Sequence, residues 1–211
     1  MIVHPQMQQQ SEEWFRVRKG RPTASNASRI LTPTGKDSSQ WDSFAIELTA
    51  ECLRPDELPA FLGNANTDRG NELEAEARQT FAEIMGLDVT QVGFVTCDRG
   101  FIGCSPDGLI YRDGEPVAGL ELKCPLAKNH LAYLVEGGVP PEYRPQVHFS
   151  MSLTGLPWYF MSYCPGMRPH IALAHPDEYT AKMQDAVERF VIYYAARRAE
   201  LLQMAKGGNP L

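Results

Sequence analysis

The 211 residues contain no apolar run long enough to cross a membrane, which takes about 18 or more. No CxxC pair occurs among the five cysteines, so neither a disulfide framework nor a zinc ribbon is indicated, and Cys52, Cys97, Cys104, Cys124 and Cys164 are expected to be reduced and mostly buried. The five histidines are dispersed and lack the ligand spacing that histidine-based zinc chemistry requires. The N-terminal MIVHPQMQQQSEEW lacks a basic stretch followed by an apolar one, so a cytoplasmic location is expected. Internal repeats are absent, as is low-complexity sequence beyond Gln8 to Gln10, so a single domain over 1–211 is expected.

Positive charge is also short, with a net charge of −6. That excludes a surface coating nucleic acid indiscriminately, because nonspecific affinity comes from Lys and Arg neutralising phosphates. A local basic site is nevertheless present. WFRVRKGRPTASNASRI, residues 14–30, carries Arg16, Arg18, Lys19, Arg21 and Arg29 with no acidic residue among them.

Periodicity and caps predict helices over 11–19, from Thr23 or Ser25 to 31, and around 41–52, where Trp41, Phe44, Ala45, Leu48 and Cys52 share a face. Further helices are expected over 71–86, 127–136, 143–154 and 177–205, the last with Tyr179, Met183, Val187, Phe190, Val191 and Tyr194 on its packing face. Strands are expected over 88–97, 100–111, 117–123, 157–163 and 169–174. Pro55, Pro59 and Gly63 make 54–68 a loop. The order of elements predicts an α/β (α+β) fold with a sheet flanked by helices.

One stretch combines core and charge: SPDGLIYRDGEPVAGLELKCP, residues 105–125. Strand side chains alternate between faces, so Leu120 and Leu122 share one face while Glu121 and Lys123 share the other. The Asp-Gly pair at 113–114 marks a hairpin turn. A five-residue loop over 112–116 pairs Tyr111 with Val117, sets 108 against 120, and brings Asp107 opposite Glu121. Opposed carboxylates about 5 Å apart repel unless a cation lies between them. Their hard oxygens favour Mg²⁺ or Mn²⁺ over zinc, and Lys123 on the same face is suited to orienting a water or stabilising charge on a phosphate. By spacing alone, D-x(n)-E-x-K also suits rim charges of a surface hairpin, and a one-residue slip in register would separate the two carboxylates.

These motifs occur in an ordered set. SEEWFRVRKGRPTAS at 11–25, the G-x-x-x-E of Gly70 to Glu74, SPDG, LELKCP, QVHFSM at 146–151 and WYFMSYCPGM at 158–167 together resemble the λ exonuclease group of YqaJ-type viral recombination nucleases, within the PD-(D/E)XK superfamily. The resemblance spans most of the chain and implies a restriction-endonuclease-like core with a central mixed sheet. It implies metal binding by Asp107 and Glu121 with Glu74 close by, a lysine, Lys123, that assists the attacking water, and Gln146 lining the active site. Arg18 and Ser25 would hold the 5′-terminal phosphate of DNA.

The implied activity is Mg²⁺-dependent 5′→3′ degradation of one strand of linear duplex DNA, leaving a 3′ single-stranded overhang for recombination, with Mn²⁺ substituting. The implied partners are duplex ends, two further copies in a homotrimer, and a single-strand annealing protein. Ser150 occupies the position where related nucleases carry a tyrosine four residues after the motif glutamine, and the cysteines do not form the iron–sulfur set of some relatives. Phe61 and Leu62 are candidates for an apolar wedge that parts the duplex. A structure-specific endonuclease or resolvase, and a non-catalytic end-binding protein, are the alternatives.

Overall fold

The computed structural model describes residues 1–55 and 65–207. Phe61 and Leu62 lie outside the described residues.

Among the described residues, eight strands and six α-helices follow one another in the order β1 (Ile2–His4), α1 (Glu12–Arg18), a 3-10 helix (Ala24–Arg29), α2 (Trp41–Leu53), α3 (Ala65–Met85), β2 (Val89–Thr90), β3 (Phe94–Thr96), β4 (Gly103–Cys104), β5 (Gly108–Arg112), β6 (Glu115–Lys123), α4 (Ala127–Glu136), α5 (Arg144–Thr154), β7 (Trp158–Ser162), β8 (His170–Ala174) and α6 (Glu178–Lys206). The main sheet runs β2-β5-β6-β7-β8, with β6 and β7 parallel and the other pairs antiparallel. A smaller sheet, β1-β3-β4, stands apart from it. This is the mixed sheet flanked by helices that the sequence predicts.

Helix ends follow local chemistry. Ser11 caps α1 by accepting from the Trp14 backbone N–H at 3.2 Å. Asp177 and Thr180 form a reciprocal capping box on α6. Pro145 sits in the first turn of α5, where its missing N–H costs no intrahelical bond, and Gly155 closes that helix in the left-handed region at φ 73°.

Helix α3 begins at Ala65, earlier than expected from the polar residues before position 71. Strong helix formers over 72–85 propagate the helix backward once a turn is nucleated. The expected strand 88–97 divides into β2 and β3, which join different sheets.

The main sheet buries both faces. Ile110, Leu120, Leu122 and Met161 pack against Ala77 and Phe81 of α3. Leu109, Trp158 and Phe160 pack with Val147, Phe149 and Met151 of α5, Met183, Val187 and Phe190 of α6, and Phe44 and Leu48 of α2. Burying each such side chain is worth about 1.5–3 kcal/mol. Gly119 of β6 lies under Trp158, and a Cβ there would stand 2.3 Å from the indole ring. The close fit of β6 against β7 therefore requires glycine at this point, two residues before Glu121.

Candidate active site

The hairpin turn is tighter than expected. Asp113 and Gly114 alone connect β5 to β6, at φ 54° and 84°, both in the left-handed region that a two-residue hairpin turn demands. Tyr111 pairs with Pro116 and not with Val117; a bulge between Ile110 and Tyr111 absorbs the extra residue. Beyond the bulge, Ile110 faces Ala118, Leu109 faces Gly119 and Gly108 faces Leu120, as the sequence register predicts.

Asp107 does not form the next rung, because β5 starts at Gly108. Its N–H donates to the Leu120 carbonyl at 3.0 Å, and its Oδ2 accepts from the Leu122 N–H at 2.6 Å. A carboxylate thus takes the place of a ladder carbonyl and is held against β6 at the level of Glu121.

Alternation along β6 sends Glu121 toward α5, away from the Leu120 and Leu122 face. Glu121 is 3% exposed, and its Oε1 accepts from Lys123 Nζ and from Gln146 Nε2, each at 2.5 Å. Glu74 of α3 pairs with Arg78 one turn along, and Arg78 Nε also donates to the Asp107 carbonyl at 2.6 Å. Three carboxylates, Glu74, Asp107 and Glu121, therefore share one neighbourhood with two cations. Burial, reinforced by Glu121 and Glu74 against the opposing pull of Lys123, drives the Asp107 carboxyl well above its usual range. Burial likewise raises Glu74, with Arg78 opposing and Glu121 adding to the rise. Burial disfavours the Lys123 ammonium, but Glu121 and Asp107 outweigh it and hold that group above the ordinary lysine value.

The donor chemistry fits a hard divalent cation. The carboxylates are oxygen donors lodged where added positive charge relieves repulsion. Cys104, on which Glu121 acts electrostatically, is a buried thiol pushed up to about 12 by burial, which disfavours the thiolate that a soft metal takes. Among the described residues, no three His, Cys, Asp or Glu side chains already converge into a group that could hold a metal ion. The expectation that most cysteines are buried is corrected: all five are free, but only Cys104 and Cys164 are buried, whereas Cys52 sits in the last turn of α2 and Cys97 and Cys124 directly follow strand ends.

A second cluster contains donors. Arg18 is largely buried, lies 4.2 Å over the Trp14 ring, and donates to Ser25 Oγ at 2.9 Å, Ser105 Oγ at 3.1 Å and Thr23 Oγ1 at 3.4 Å. Burial lowers its guanidinium to about 10. Ser25 is exposed and lies inside the 3-10 helix, whose N-cap position belongs to Thr23, so its hydroxyl is turned to Arg18 and Thr23 and does not cap. Arg18 and Ser25 are thus brought together, as are Asp107, Glu121, Lys123 and Gln146, with Glu74 at their margin.

Several residues escaped the sequence reading. Ser105 accepts from Trp14 Nε1 at 2.9 Å as well as from Arg18, and Gln9 Nε2 donates to the carbonyls of Val92 and Pro106, both at 2.9 Å. Together with Arg78 of α3, Gln9 of the turn before α1 and Trp14 and Arg18 of α1 brace residues 105–107. The S of SPDG is the one available signal, since a hydroxyl two residues before a half-buried carboxylate has few local partners.

The YqaJ-like viral recombinase domain is the family whose model matches, over residues 13–157. The crystal structure of an alkaline exonuclease (LHK-Exo) from Laribacter hongkongensis is similar with 29% identity and a TM-score of 0.79, covering 92% of this chain and 98% of that one. LHK-Exo in complex with dAMP gives 28% identity and a TM-score of 0.78 over the same shares. A phage-related exonuclease from Haemophilus somnus 129PT shares the fold, at 18% identity and a TM-score of 0.64 over 86% of this chain and 96% of that one. No curated protein sequence matches.

Proposed function

The chain belongs to the YqaJ-like viral recombinase domain family, and on that footing we propose that it is a divalent-metal-dependent exonuclease that degrades one strand of linear duplex DNA from a 5′-phosphorylated end. The observation that carries this reading is the pairing of two clusters of opposite character, an acceptor-rich one at Asp107 and Glu121 and a donor-rich one at Arg18 and Ser25, joined by residues 105–107. The alkaline exonuclease from Laribacter hongkongensis, similar over 92% of this chain, supports it.

Asp107 and Glu121 would hold the metal, with Glu74 beside them, and Mg²⁺ is the ion expected, with Mn²⁺ able to replace it. When bound, the metal supplies an activated water and neutralises charge on the phosphate oxygens. Glu121 and Asp107 favour the ammonium form of Lys123, which fits a donor that would orient the water or stabilise developing charge. Gln146 fixes Glu121 through its amide. Arg18 and Ser25 take the terminal phosphate, for which a guanidinium and a hydroxyl are matched donors.

Ser105 touches Arg18 and stands two residues from Asp107, at most about 7 Å of chain. An end phosphate held at Arg18 leaves the next phosphodiester within reach of Asp107. In hydrolysis the water oxygen bonds to that phosphorus, the bond to the 3′ oxygen breaks, and the departing 3′ oxygen takes a proton. The shortened strand again begins with a 5′-phosphate, so the product remains a ligand for the same pocket. The complementary strand is left as a 3′ overhang, the substrate of a single-strand annealing partner. The chain acts as one domain over 1–211, assembles as a homotrimer and works in the cytoplasm. The homotrimer would be contradicted by a monomeric mass in sedimentation together with distributive cleavage.

The test is linear duplex with each strand labelled, incubated in Mg²⁺ as 5′-phosphate, 5′-hydroxyl and circular substrates. Mononucleotides released from the 5′-phosphorylated strand, with the circle intact, are expected. Cleaved circles, or loss of the 3′-ended strand first, would contradict the reading.

A further inference from the structure

Tyr143 has no part in the motif pattern, yet its ring meets Lys123: the Lys123 Nζ lies 5.2 Å from the Tyr143 ring centroid. The ring is held in place by its surroundings. It stacks on Phe160 of β7 at 5.3 Å and 28°, and meets the edge of Tyr133 of α4 at 6.1 Å and 80°. The Tyr133 hydroxyl is in turn tied to Glu142 at 2.7 Å.

Tyr143 occupies the N-cap position of α5, three residues before Gln146. Residues three apart on a helix share a face, and Glu121 and Lys123 share a face of β6. One turn of α5 therefore lies across one repeat of β6, with Gln146 on Glu121 and Tyr143 on Lys123. Related nucleases place a tyrosine one turn after the glutamine; here that position is Ser150, whose Oγ donates to the Gln146 carbonyl, and the aromatic residue stands one turn before it.

We infer that Tyr143 is a positioning residue that fixes the Lys123 ammonium through its ring face, an inference that rests on the catalytic role proposed for Lys123. The ammonium has two supports of different kind. Glu121 is a charged partner whose oxygen is shared with Gln146, whereas the aromatic face is uncharged, held by packing, and makes no demand on the carboxylates. A long lysine side chain loses rotamer entropy when pinned, so an aromatic shelf narrows its range before substrate arrives.

The test compares Tyr143→Phe, which keeps the ring face, with Tyr143→Leu, which keeps bulk against Phe160 and loses the face. Turnover of linear 5′-phosphorylated duplex is expected to stay within about twofold for Phe and to fall about 3- to 30-fold for Leu, the range a cation–π contact spans, with KM for DNA ends unchanged. In a Lys123→Ala background, Tyr143→Leu is expected to cause no further loss, because the two changes remove one interaction. An activity-independent readout is the Lys123 ε-methylene proton resonance, shifted upfield by the ring in wild type and in Tyr143→Phe and normal in Tyr143→Leu. Equal losses for Phe and Leu, additive losses with Lys123→Ala, or an unshifted Lys123 resonance in wild type would overturn the inference. Absence of metal-dependent nucleotide release from wild type would instead defeat the nuclease reading, and the resonance still decides the contact.

Discussion

The two ends of the 105–107 segment differ in almost every physical respect. Around Asp107 carboxylates predominate and crowd together, Glu121 buried and Asp107 and Glu74 partly so, with the Asp107 carboxyl raised well above its ordinary range by burial and by its acidic neighbours. Around Ser105 the groups are donors, and a guanidinium is lowered to about 10 because it too is buried. In the first region three carboxylates outnumber the two cations Lys123 and Arg78, and in the second the Arg18 guanidinium hydrogen-bonds to neutral hydroxyls. A divalent cation and a phosphate relieve both, and a nucleic-acid end with its metal carries the two together.

Substitutions that remove one side and spare the other test that contrast. The largest effects are expected at the acceptor side. Glu121→Gln and Lys123→Ala should each lower turnover about 100- to 1,000-fold, the scale on which one preorganised electrostatic group acts, with affinity for duplex ends kept. Parallel loss of end binding would show that the clusters do not divide the work.

Arg18→Ala should act in the opposite sense. Affinity for 5′-phosphorylated ends should fall about 10- to 100-fold, the size of a charge-assisted hydrogen bond, and the preference over 5′-hydroxyl ends should vanish. Fluorescence anisotropy with both end types measures this. Ser25→Ala should weaken the same preference by only about 2- to 10-fold, because its hydroxyl is neutral and exposed. A larger effect than that of Arg18→Ala would place the phosphate elsewhere.

The smallest effect concerns stability. Because the folded state raises the Asp107 carboxyl above its unfolded value near 4, it binds that proton more tightly than the unfolded chain does. Metal-free stability is therefore greatest below about pH 4 as far as this group is concerned, and falls as pH rises toward the raised folded value. Asp107→Asn keeps an oxygen acceptor for the Leu122 N–H and removes the charge, so it should melt a few degrees higher than wild type at neutral pH without metal, at about 2–4 °C per kcal/mol. Mg²⁺ should narrow the gap by binding wild type. A lower melting temperature would mean that the carboxylate is not strained in the free protein.

The contrast also explains what could be read from sequence. The acceptor side is built largely by a hairpin, in which strand alternation and a turn dipeptide set which side chains share a face. The nearness of Asp107 to Glu121 is therefore legible in residues 105–123 alone, although the two-residue turn and the bulge at Val117 are not, since a bulge and a longer loop make the same register at Gly108 and Leu120. The donor side is assembled from residues nearly ninety positions apart, and nothing local in SPDG says that Ser105 meets Trp14 and Arg18. Only the resemblance supplied Arg18 and Ser25. Tyr143 was missed for a related reason: the motif looks for an aromatic after Gln146, and its contact with Lys123 depends on how α5 crosses β6. The strand β1, only Ile2, Val3 and His4, carries no pattern long enough to announce it.

Wild type and Asp107→Asn, each incubated with linear 5′-phosphorylated duplex and titrated with Mg²⁺, give the decisive comparison when mononucleotide release and end binding are followed in the same samples. Mg²⁺-dependent release from the 5′-ended strand by wild type, with release lost and end binding retained in Asp107→Asn, is the predicted result. Release by Asp107→Asn at the wild-type rate, or by wild type in the presence of excess chelator, would contradict it.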